Sequence, residues 1–242
     1  MPRRAPDWLR RCPIAHRGLH GAGRPENSLA AFAAACDAGY GIELDVHRTR
    51  TGELVVMHDD TATRTTTVAI RTTEIGARDL ARLRLEGTDE PVPRLRDVLA
   101  LVRGRVPLVI ELKSSRDRGP LERGVLAAIE RYGGPVALQS FDPFTLSLLR
   151  RLAPAQLLGL LASDFRDSDL PASERFVLRR LLLAPLSRPD YIGYALRGLP
   201  CWPTRATRRL GLPLLAWTVD SPAALQRARA LADNVIFEHV RP

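Results

Sequence analysis

Short apolar stretches typical of β-strands alternate along the chain with segments whose apolar residues recur at helical spacing. In the first helical segment, Asn27 is a suitable N-cap and Gly39 a suitable stop. The predicted helices are Asn27–Ala38, Leu95–Val102, Leu121–Tyr132, Pro143–Leu152, Ser173–Ala184, Thr204–Leu210 and Pro222–Ala232. The predicted parallel strands begin near Cys12, Gly41, Val106, Val136, Leu157, Tyr191, Leu214 and Val235.

One further apolar segment, Leu54–His58, does not fit this alternation. Only residues 48–53 connect it to the strand Gly41–His47. A parallel crossover needs a connection of about a dozen residues or more. The two segments are therefore predicted to form an antiparallel hairpin with Gly52 in the turn.

Eight parallel strands that alternate with helices predict an α/β fold, the (β/α)8 or TIM barrel. The 242 residues come close to the roughly 250 of a typical barrel, so residues 1–242 are predicted to form a single domain. A small insertion after the second strand, at about residues 48–93, is expected to pack over the barrel mouth. An open doubly wound sheet is the alternative, although the Gly-rich fingerprint expected after its first strand is missing.

The formal net charge is +9, and Lys113 is the one lysine among 36 basic residues. The arginines are scattered along the whole chain, without a block of five like charges. A bias toward arginine in the coding sequence therefore explains most of them better than an anionic partner such as a phosphate ester, a nucleic acid or a lipid surface does, and a nucleic-acid tail is not indicated. A lone lysine in this background suggests a crowded site that takes a compact point charge, such as a phosphate site.

The three cysteines, Cys12, Cys36 and Cys201, have no regular spacing. This argues against a disulfide framework and against a zinc site. The arginines at the start of the chain are not followed by the apolar stretch of a signal peptide, and no apolar run approaches the roughly 18 residues of a membrane-spanning helix. A cytoplasmic location is predicted; the oligomeric state is not indicated.

Acidic residues lie near the ends of two predicted strands, where the active sites of (β/α)8 barrels are found. Glu43 and Asp45 are two residues apart and therefore point to the same face, as do Glu111 and Lys113. Three carboxylates at one barrel mouth repel one another unless a cation lies among them, and hard oxygen ligands suit Mg²⁺ or Ca²⁺. The alternative is a buried ion-pair network with Arg17 and Lys113.

Two of the five histidines, His16 and His58, each end a β segment next to this predicted site. They are suited to act as a general base and a general acid. His47 shares the strand parity of Glu43 and Asp45, but a position in an exposed turn is the favoured interpretation.

Ordered motifs along nearly the whole chain resemble the signature of the glycerophosphodiester phosphodiesterase family. The motifs are Ile14–Gly18, Pro25–Ser28, Glu43–Val46, Val55–Asp59, Glu111–Lys113, Gln139–Asp142 and Trp217–Asp220. The first four together are highly specific. Two positions depart from the family pattern: Ser28 replaces the usual threonine, and Glu238-His239 stands where a Thr-Asp pair often follows the last strand.

The resemblance implies a (β/α)8 barrel that hydrolyses small glycerophosphodiesters to sn-glycerol 3-phosphate and an alcohol, with Mg²⁺ or Ca²⁺ as cofactor. It assigns metal binding to Glu43, Asp45 and Glu111, and acid/base catalysis to His16 and His58. It assigns substrate binding to Arg17, Lys113, Phe141 and Trp217, and a supporting position near the metal to Glu26. Which histidine is the acid stays open, as does the nucleophile, which is water or the glycerol's own hydroxyl.

Two alternatives remain beside this hypothesis. The segment Phe176–Leu183 is apolar with interspersed arginines, which is compatible with weak association with a membrane surface and with lysophospholipids as substrates. A non-catalytic barrel that binds phosphoesters is the other. It is disfavoured because seven proposed site positions all carry chemically competent side chains: His16, Arg17, Glu43, Asp45, His58, Glu111 and Lys113.

Overall fold

The computed structural model describes residues 5–21, 23–113 and 117–242. The elements in chain order are α1 Trp8–Arg11, β1 Ile14–Ala15, α2 Leu29–Asp37, β2 Gly41–Arg48, β3 Leu54–Val56, α3 Thr63–Thr66, α4 Ala77–Arg82, α5 Leu95–Val102, β4 Leu108–Leu112, α6 Pro120–Ile129, β5 Val136–Ser140, α7 Pro143–Leu152, β6 Leu157–Ala162, α8 Ala172–Arg179, α9 Ala184–Ser187, β7 Tyr191–Ala195, α10 Trp202–Arg209, β8 Leu214–Val219, α11 Pro222–Leu231 and β9 Asn234–Phe237. Short 3-10 turns lie at Thr72–Glu74 and Leu196–Gly198.

The strands follow the order β1-β9-β8-β7-β6-β5-β4-β2-β3, and β1 also pairs with β2. Among the described residues, the eight strands other than β3 form the closed parallel arrangement of a (β/α)8 barrel, with helices between them. The predicted fold class is therefore confirmed. The alternative of an open sheet is wrong, because the β1–β2 pairing leaves no open edge between these strands.

The chain divides into two compact units. The N-terminal unit is Ala15–Val136, and the C-terminal unit combines Ala137–Pro242 with the described residues before Ala15. In the N-terminal unit, β2 pairs in parallel with β4 and antiparallel with β3. The predicted hairpin is thus confirmed. Every residue of β2 except Arg48 is buried, so its polar side chains are enclosed by the unit.

The N-terminus of α2 differs from the prediction. Ser28 caps the helix, because its hydroxyl accepts a hydrogen bond from the Ala31 amide at 3.0 Å. The prediction that Asn27 is the cap is wrong: Asn27 has a left-handed φ of 55°, and its side chain turns to β2 instead. Nine residues earlier, Gly18 has a φ of +82°, and a Cβ there would lie 2.9 Å from Ala31 Cβ. A side chain is therefore excluded at Gly18.

The segment after β3 carries more order than its weak periodicity predicts. It contains α3, the turn Thr72–Glu74 and α4, none of which was predicted. These pieces surround a small hydrophobic cluster of their own with β3. The cluster consists of Val55, Met57, Ala62, Ile75, Leu80, Leu83, Leu85 and Val92, with Ile70 packed against it. Short helices too brief for a periodic signal explain the difference. The insertion boundaries, its place over the mouth and the single domain stay predictions.

In the C-terminal unit, β6, β7, β8 and β9 follow one another as parallel neighbours. The predicted helix Ser173–Ala184 is wrong in extent, since α8 ends at Arg179 and α9 begins at Ala184. Leu181, between them, has a left-handed φ of 57° that interrupts a continuous helix. The helix α1 was not predicted. Throughout the described chain, no helix is both long and apolar enough to cross a membrane.

Candidate active site

Three carboxylates meet at one end of the N-terminal unit. Glu43 and Asp45 extend from the same face of β2, and the β2–β4 register places Glu111 opposite Asp45. One oxygen from each of the three lies within 4.8 Å of the other two. Their exposed fractions are 2%, 1% and 7% respectively. The strand parity predicted from sequence thus brings together the three proposed metal ligands.

The three buried carboxylates concentrate negative charge in one small site. Burial and the charges of Asp45 and Glu111 raise the pKa of Glu43 well above its ordinary value. Burial also raises the pKa of Glu111. Burial alone would raise the pKa of Asp45 too, but the cations around it bring that pKa far below its ordinary value. The site therefore favours a further positive charge.

Two cationic side chains already offset part of this charge. Lys113 Nζ lies 2.8 Å from Asp45 Oδ1 and 2.7 Å from Glu111 Oε1. Arg17 Nε lies 3.4 Å from Asp45 Oδ2, and the Arg17 backbone amide donates to Glu43 Oε2 at 3.2 Å. The ion pairs of the alternative interpretation are thus present, but two cations do not neutralise three carboxylates when all three are ionised, and the raised pKa of Glu43 reflects this excess of negative charge.

Asn27 is a site residue that sequence reasoning missed. Its Nδ2 donates to Asp45 Oδ2 at 2.9 Å, and its Oδ1 accepts from the Asp45 amide at 3.4 Å. The side chain is buried, and the pair of contacts fixes the rotamer of Asp45. The signal available was its place directly before the true N-cap Ser28, in the Pro25–Ser28 motif.

The two proposed acid/base histidines lie in different surroundings. His16 Nε2 is 4.0 Å from Glu43 Oε2. His58 Nδ1 is 2.6 Å from Asp59 Oδ1. Burial and the charge of Lys113 lower the pKa of His58, which favours the neutral imidazole near neutral pH.

His47 is buried, so the favoured expectation of an exposed turn is wrong. Its Nε2 lies 3.2 Å from the His58 carbonyl oxygen across the β2–β3 hairpin. Burial lowers its pKa. The strand parity with Glu43 and Asp45 indicated this inward position.

Glu26 lies among cations. Arg17 Nη1 donates to Glu26 Oε1 at 2.9 Å, and Arg64 of α3 donates to both Glu26 oxygens, at 2.7 and 3.0 Å. Arg64 also donates to both oxygens of Asp59, at 2.6 and 3.2 Å. Neither Asp59 nor Arg64 was singled out from the sequence as a functional residue, because the insertion offers no local pattern that pairs them with Glu26.

The two aromatic residues proposed for substrate binding lie in the C-terminal unit. Phe141 packs edge-to-face on Trp217 with ring centroids 5.4 Å apart, and on Phe165 at 6.2 Å. Trp217 lines a cleft of about 510 Å³ with Asp220 and Arg227 among its walls. Its buried Nε1 has no hydrogen-bond partner among the residues described.

The arrangement in the N-terminal unit suits an anionic ester. Buried carboxylates are suited to hold a hard cation, Arg17 and Lys113 are suited to bind phosphate oxygens, and two imidazoles are suited to move protons. No other cluster of three or more acidic, histidine or cysteine ligands is found in the described part of the chain.

Comparison with known proteins gives consistent results. Residues 16–240 match the model of the glycerophosphoryl diester phosphodiesterase family. The chain is 35% identical over 237 residues to a glycerophosphodiester phosphodiesterase of Caldanaerobacter subterraneus subsp. tengcongensis, with 93% of each chain covered.

Solved structures of similar fold include a phosphodiesterase of Oleispira antarctica in complex with the product sn-glycerol-3-phosphate. That structure is 22% identical, has a TM-score of 0.79, and is matched over 93% of this chain and 91% of its own. A glycerophosphodiester phosphodiesterase of Thermotoga maritima is 24% identical, with a TM-score of 0.72 and 93% and 94% of the two chains covered. At these identities the two structures support the barrel fold.

Proposed function

The chain belongs to the glycerophosphoryl diester phosphodiesterase family, and from this premise we propose that it hydrolyses small glycerophosphodiesters to sn-glycerol 3-phosphate and an alcohol. The observation that carries the proposal is the buried group of Glu43, Asp45 and Glu111, with Arg17 and Lys113 beside it. Such a concentration of buried charge is expensive in a purely structural role. It is expected where a charged substrate and its transition state must be stabilised.

The donor set fits a hard divalent cation. Three carboxylates with oxygens within 4.8 Å of one another match the ligand preference of Mg²⁺ or Ca²⁺, and the raised pKa of Glu43 reflects a site that favours added positive charge. In this proposal Glu43, Asp45 and Glu111 hold the ion, and Glu26 orients Arg17 beside it. When bound, the cation supplies charge neutralisation and polarisation of a phosphoryl oxygen.

The residues of this chain supply the remaining chemistry. Arg17 and Lys113 bind the phosphate oxygens and offset the charge that develops on them. One of His16 and His58 takes a proton from the nucleophile, water or the glycerol's own hydroxyl. The other gives a proton to the oxygen of the departing alcohol. The lowered pKa of His58 supports a neutral imidazole there, which suits the base in the first step.

Phe141 and Trp217 complete the proposed set of substrate-binding residues. Their edge-to-face contact holds both rings in place. Trp217→Ala is expected to raise KM with little change in kcat if the ring contacts the alcohol or the glycerol. An unchanged KM with several different alcohols would remove Trp217 from the set.

The test is release of sn-glycerol 3-phosphate from glycerophosphocholine with Mg²⁺, with Ca²⁺ and with a chelator. We expect release with at least one cation and a loss of more than about a hundredfold with chelator. Glu43→Gln and His58→Ala should lose activity while circular dichroism shows the fold intact. Glu74→Gln, on the insertion surface, is the matched control and should stay active. Full activity of the site variants would contradict the proposal, and inactivity of the native protein would favour a phosphoester-binding barrel.

A second candidate, hydrolysis of lysophospholipids at a membrane surface, is favoured by α8. No residue of this helix is buried, and Phe176 is 43% exposed with Arg180 stacked 4.1 Å from its ring centroid. Aromatic and cationic side chains together suit an anionic lipid surface. Binding to vesicles that contain phosphatidylglycerol, weakened by Phe176→Ala but not by Phe144→Ala, would support it. No sedimentation with such vesicles would contradict it.

A cytoplasmic location is part of the proposal. Cys12, Cys36 and Cys201 all carry free thiols, which suits a reducing compartment.

A further inference from the structure

Arg64 makes an unusual number of directed contacts for a surface arginine. Its Nε and Nη2 donate to the two oxygens of Asp59, at 2.6 and 3.2 Å. Its Nη1 and Nη2 donate to the two oxygens of Glu26, at 3.0 and 2.7 Å. One planar guanidinium thus binds two carboxylates, that of Glu26, which lies 38 residues away in the sequence, and that of Asp59, which lies 5 residues away.

Each of these two carboxylates also contacts a proposed site residue. Asp59 Oδ1 lies 2.6 Å from His58 Nδ1. Glu26 Oε1 accepts from Arg17 Nη1 at 2.9 Å, and Arg17 in turn lies against Asp45. Arg64 therefore stands at the centre of a continuous chain of contacts that connects His58 to Arg17.

Stability alone does not account for this arrangement. The Arg64 side chain is 50% exposed, and ion pairs at such positions typically contribute between 0 and about 1 kcal/mol to folding. An exposed arginine could pair with one carboxylate for the same benefit. The double fork adds geometric definition to both carboxylates, since each is held by two parallel hydrogen bonds.

We propose that Arg64 is a positioning residue that fixes the imidazole of His58 through Asp59 and the guanidinium of Arg17 through Glu26. The inference rests on the proposed function, because it assigns a role toward the same site. It adds a residue of the proposed insertion to the residues that act on this site.

The hydrogen bonds between Arg64 and Asp59 set the tautomer of His58. The hydrogen bonds from Arg64 and from His58, acting against burial, lower the pKa of Asp59 to about 2, so its carboxylate only accepts. His58 must then carry a proton on Nδ1, which leaves the lone pair of a neutral ring on Nε2. Outer partners that orient metal-bound imidazoles typically change activity by about 10- to 100-fold, and we expect an effect of similar size for the imidazole of His58.

The hydrogen bonds between Arg64 and Glu26 set the orientation of the Arg17 guanidinium. Glu26 receives hydrogen bonds from Arg17 and Arg64 at the same oxygen, so movement of Arg64 changes the anchor of Arg17. Lysine cannot replace Arg64 in this role, because a single ammonium group cannot donate a pair of parallel hydrogen bonds to each of two carboxylates.

The experiment compares four variants in steady-state hydrolysis of glycerophosphocholine. Asp59→Asn should lower kcat about 10- to 100-fold with KM within about threefold, since its main effect is on proton transfer by His58, while Glu26 keeps its own bonds to Arg17 and Arg64. Glu26→Gln should mainly raise KM, and Arg64→Lys should change both constants. Arg78→Lys, an exposed arginine on α4 of the same insertion, is the matched control and should stay within twofold of the native protein in both.

A second measurement is independent of turnover and of the metal. Imidazole ¹⁵N spectra of the metal-free protein, with the His58 signal assigned from a His58→Ala variant, should show the Nδ1–H tautomer. Arg64→Lys should shift His58 toward the Nε2–H tautomer, and Arg78→Lys should not.

Arg64→Lys with both constants within twofold of native, or with an unchanged His58 tautomer, would overturn the inference. A loss of activity that only follows loss of folded protein would also overturn it. If the native protein proves inactive on every glycerophosphodiester, the proposed function fails, while the tautomer measurement still tests the positioning of His58.

Discussion

Glu43 illustrates what one buried carboxylate implies at the scale of a residue. Its pKa is raised well above the ordinary value, first by burial and then by the charges of Asp45 and Glu111. The ionised form therefore costs the metal-free protein stability. We expect Glu43→Gln to unfold at the same temperature as the native protein or higher when chelator is present, while hydrolysis falls at least about a hundredfold. Thermal unfolding and activity measured on the same sample check this, and a large loss of stability would contradict the charge argument.

Asp59 carries a prediction about pH. Its pKa is lowered from 3.8 to about 2, because hydrogen bonds from Arg64 and His58 outweigh the effect of burial. A carboxyl group whose folded pKa is depressed stabilises the fold above its unfolded pKa, and this contribution is lost as the pH falls toward the folded pKa. The unfolding temperature should therefore drop between pH 4 and pH 2. Asp59→Asn should show a smaller drop over that interval, and an identical pH profile would contradict the prediction.

At the scale of the element, the start of α2 connects helix capping to the site. Ser28 caps the helix, and Asn27 beside it holds Asp45. Ser28→Ala should cost about 1 kcal/mol of unfolding free energy and also reduce activity, because Asn27 loses its fixed position. Ser221 caps α11 in the same way, accepting from Ala224 N at 3.2 Å. Ser221→Ala should show a similar cost in denaturant unfolding with unchanged activity, which makes it the control.

The β2–β3 hairpin was predicted correctly in its pairing but not in the burial of His47. The short connection and the parity of β2 were sufficient to predict an antiparallel pair and an inward Glu43 and Asp45. The burial of His47 followed from the same parity, but its position near the turn suggested exposure. The contact between the His47 ring and the His58 carbonyl holds this side chain in its buried position, and that contact depends on the pairing of the two strands.

At the scale of the whole molecule, an added cation should stabilise the folded state. A ligand that binds only the native state raises the unfolding free energy by about 2.7 kcal/mol at a hundred times its Kd. We expect Mg²⁺ or Ca²⁺ to raise the unfolding temperature of the native protein and to have little effect on Glu43→Gln. Sodium chloride at equal ionic strength is the control, and an equal shift by both salts would contradict a specific site.

Local patterns in the sequence determined the alternation of strands and helices, the hairpin, and the faces on which Glu43, Asp45 and Glu111 lie. These features depend on periodicity and connection length, which neighbouring residues carry. The ordered motifs added the family and the expected roles.

Tertiary structure alone decided which distant groups meet. The contact of Asn27 with Asp45 and the contact of Arg64 with Glu26 each join separate segments of the chain, 18 and 38 residues apart. The helices α3 and α4 are too short to show a period, so their side chains acquire meaning only once the chain has packed around the cluster beneath them. Contacts of this kind depend on the position of a whole element, which the residues around each partner do not specify.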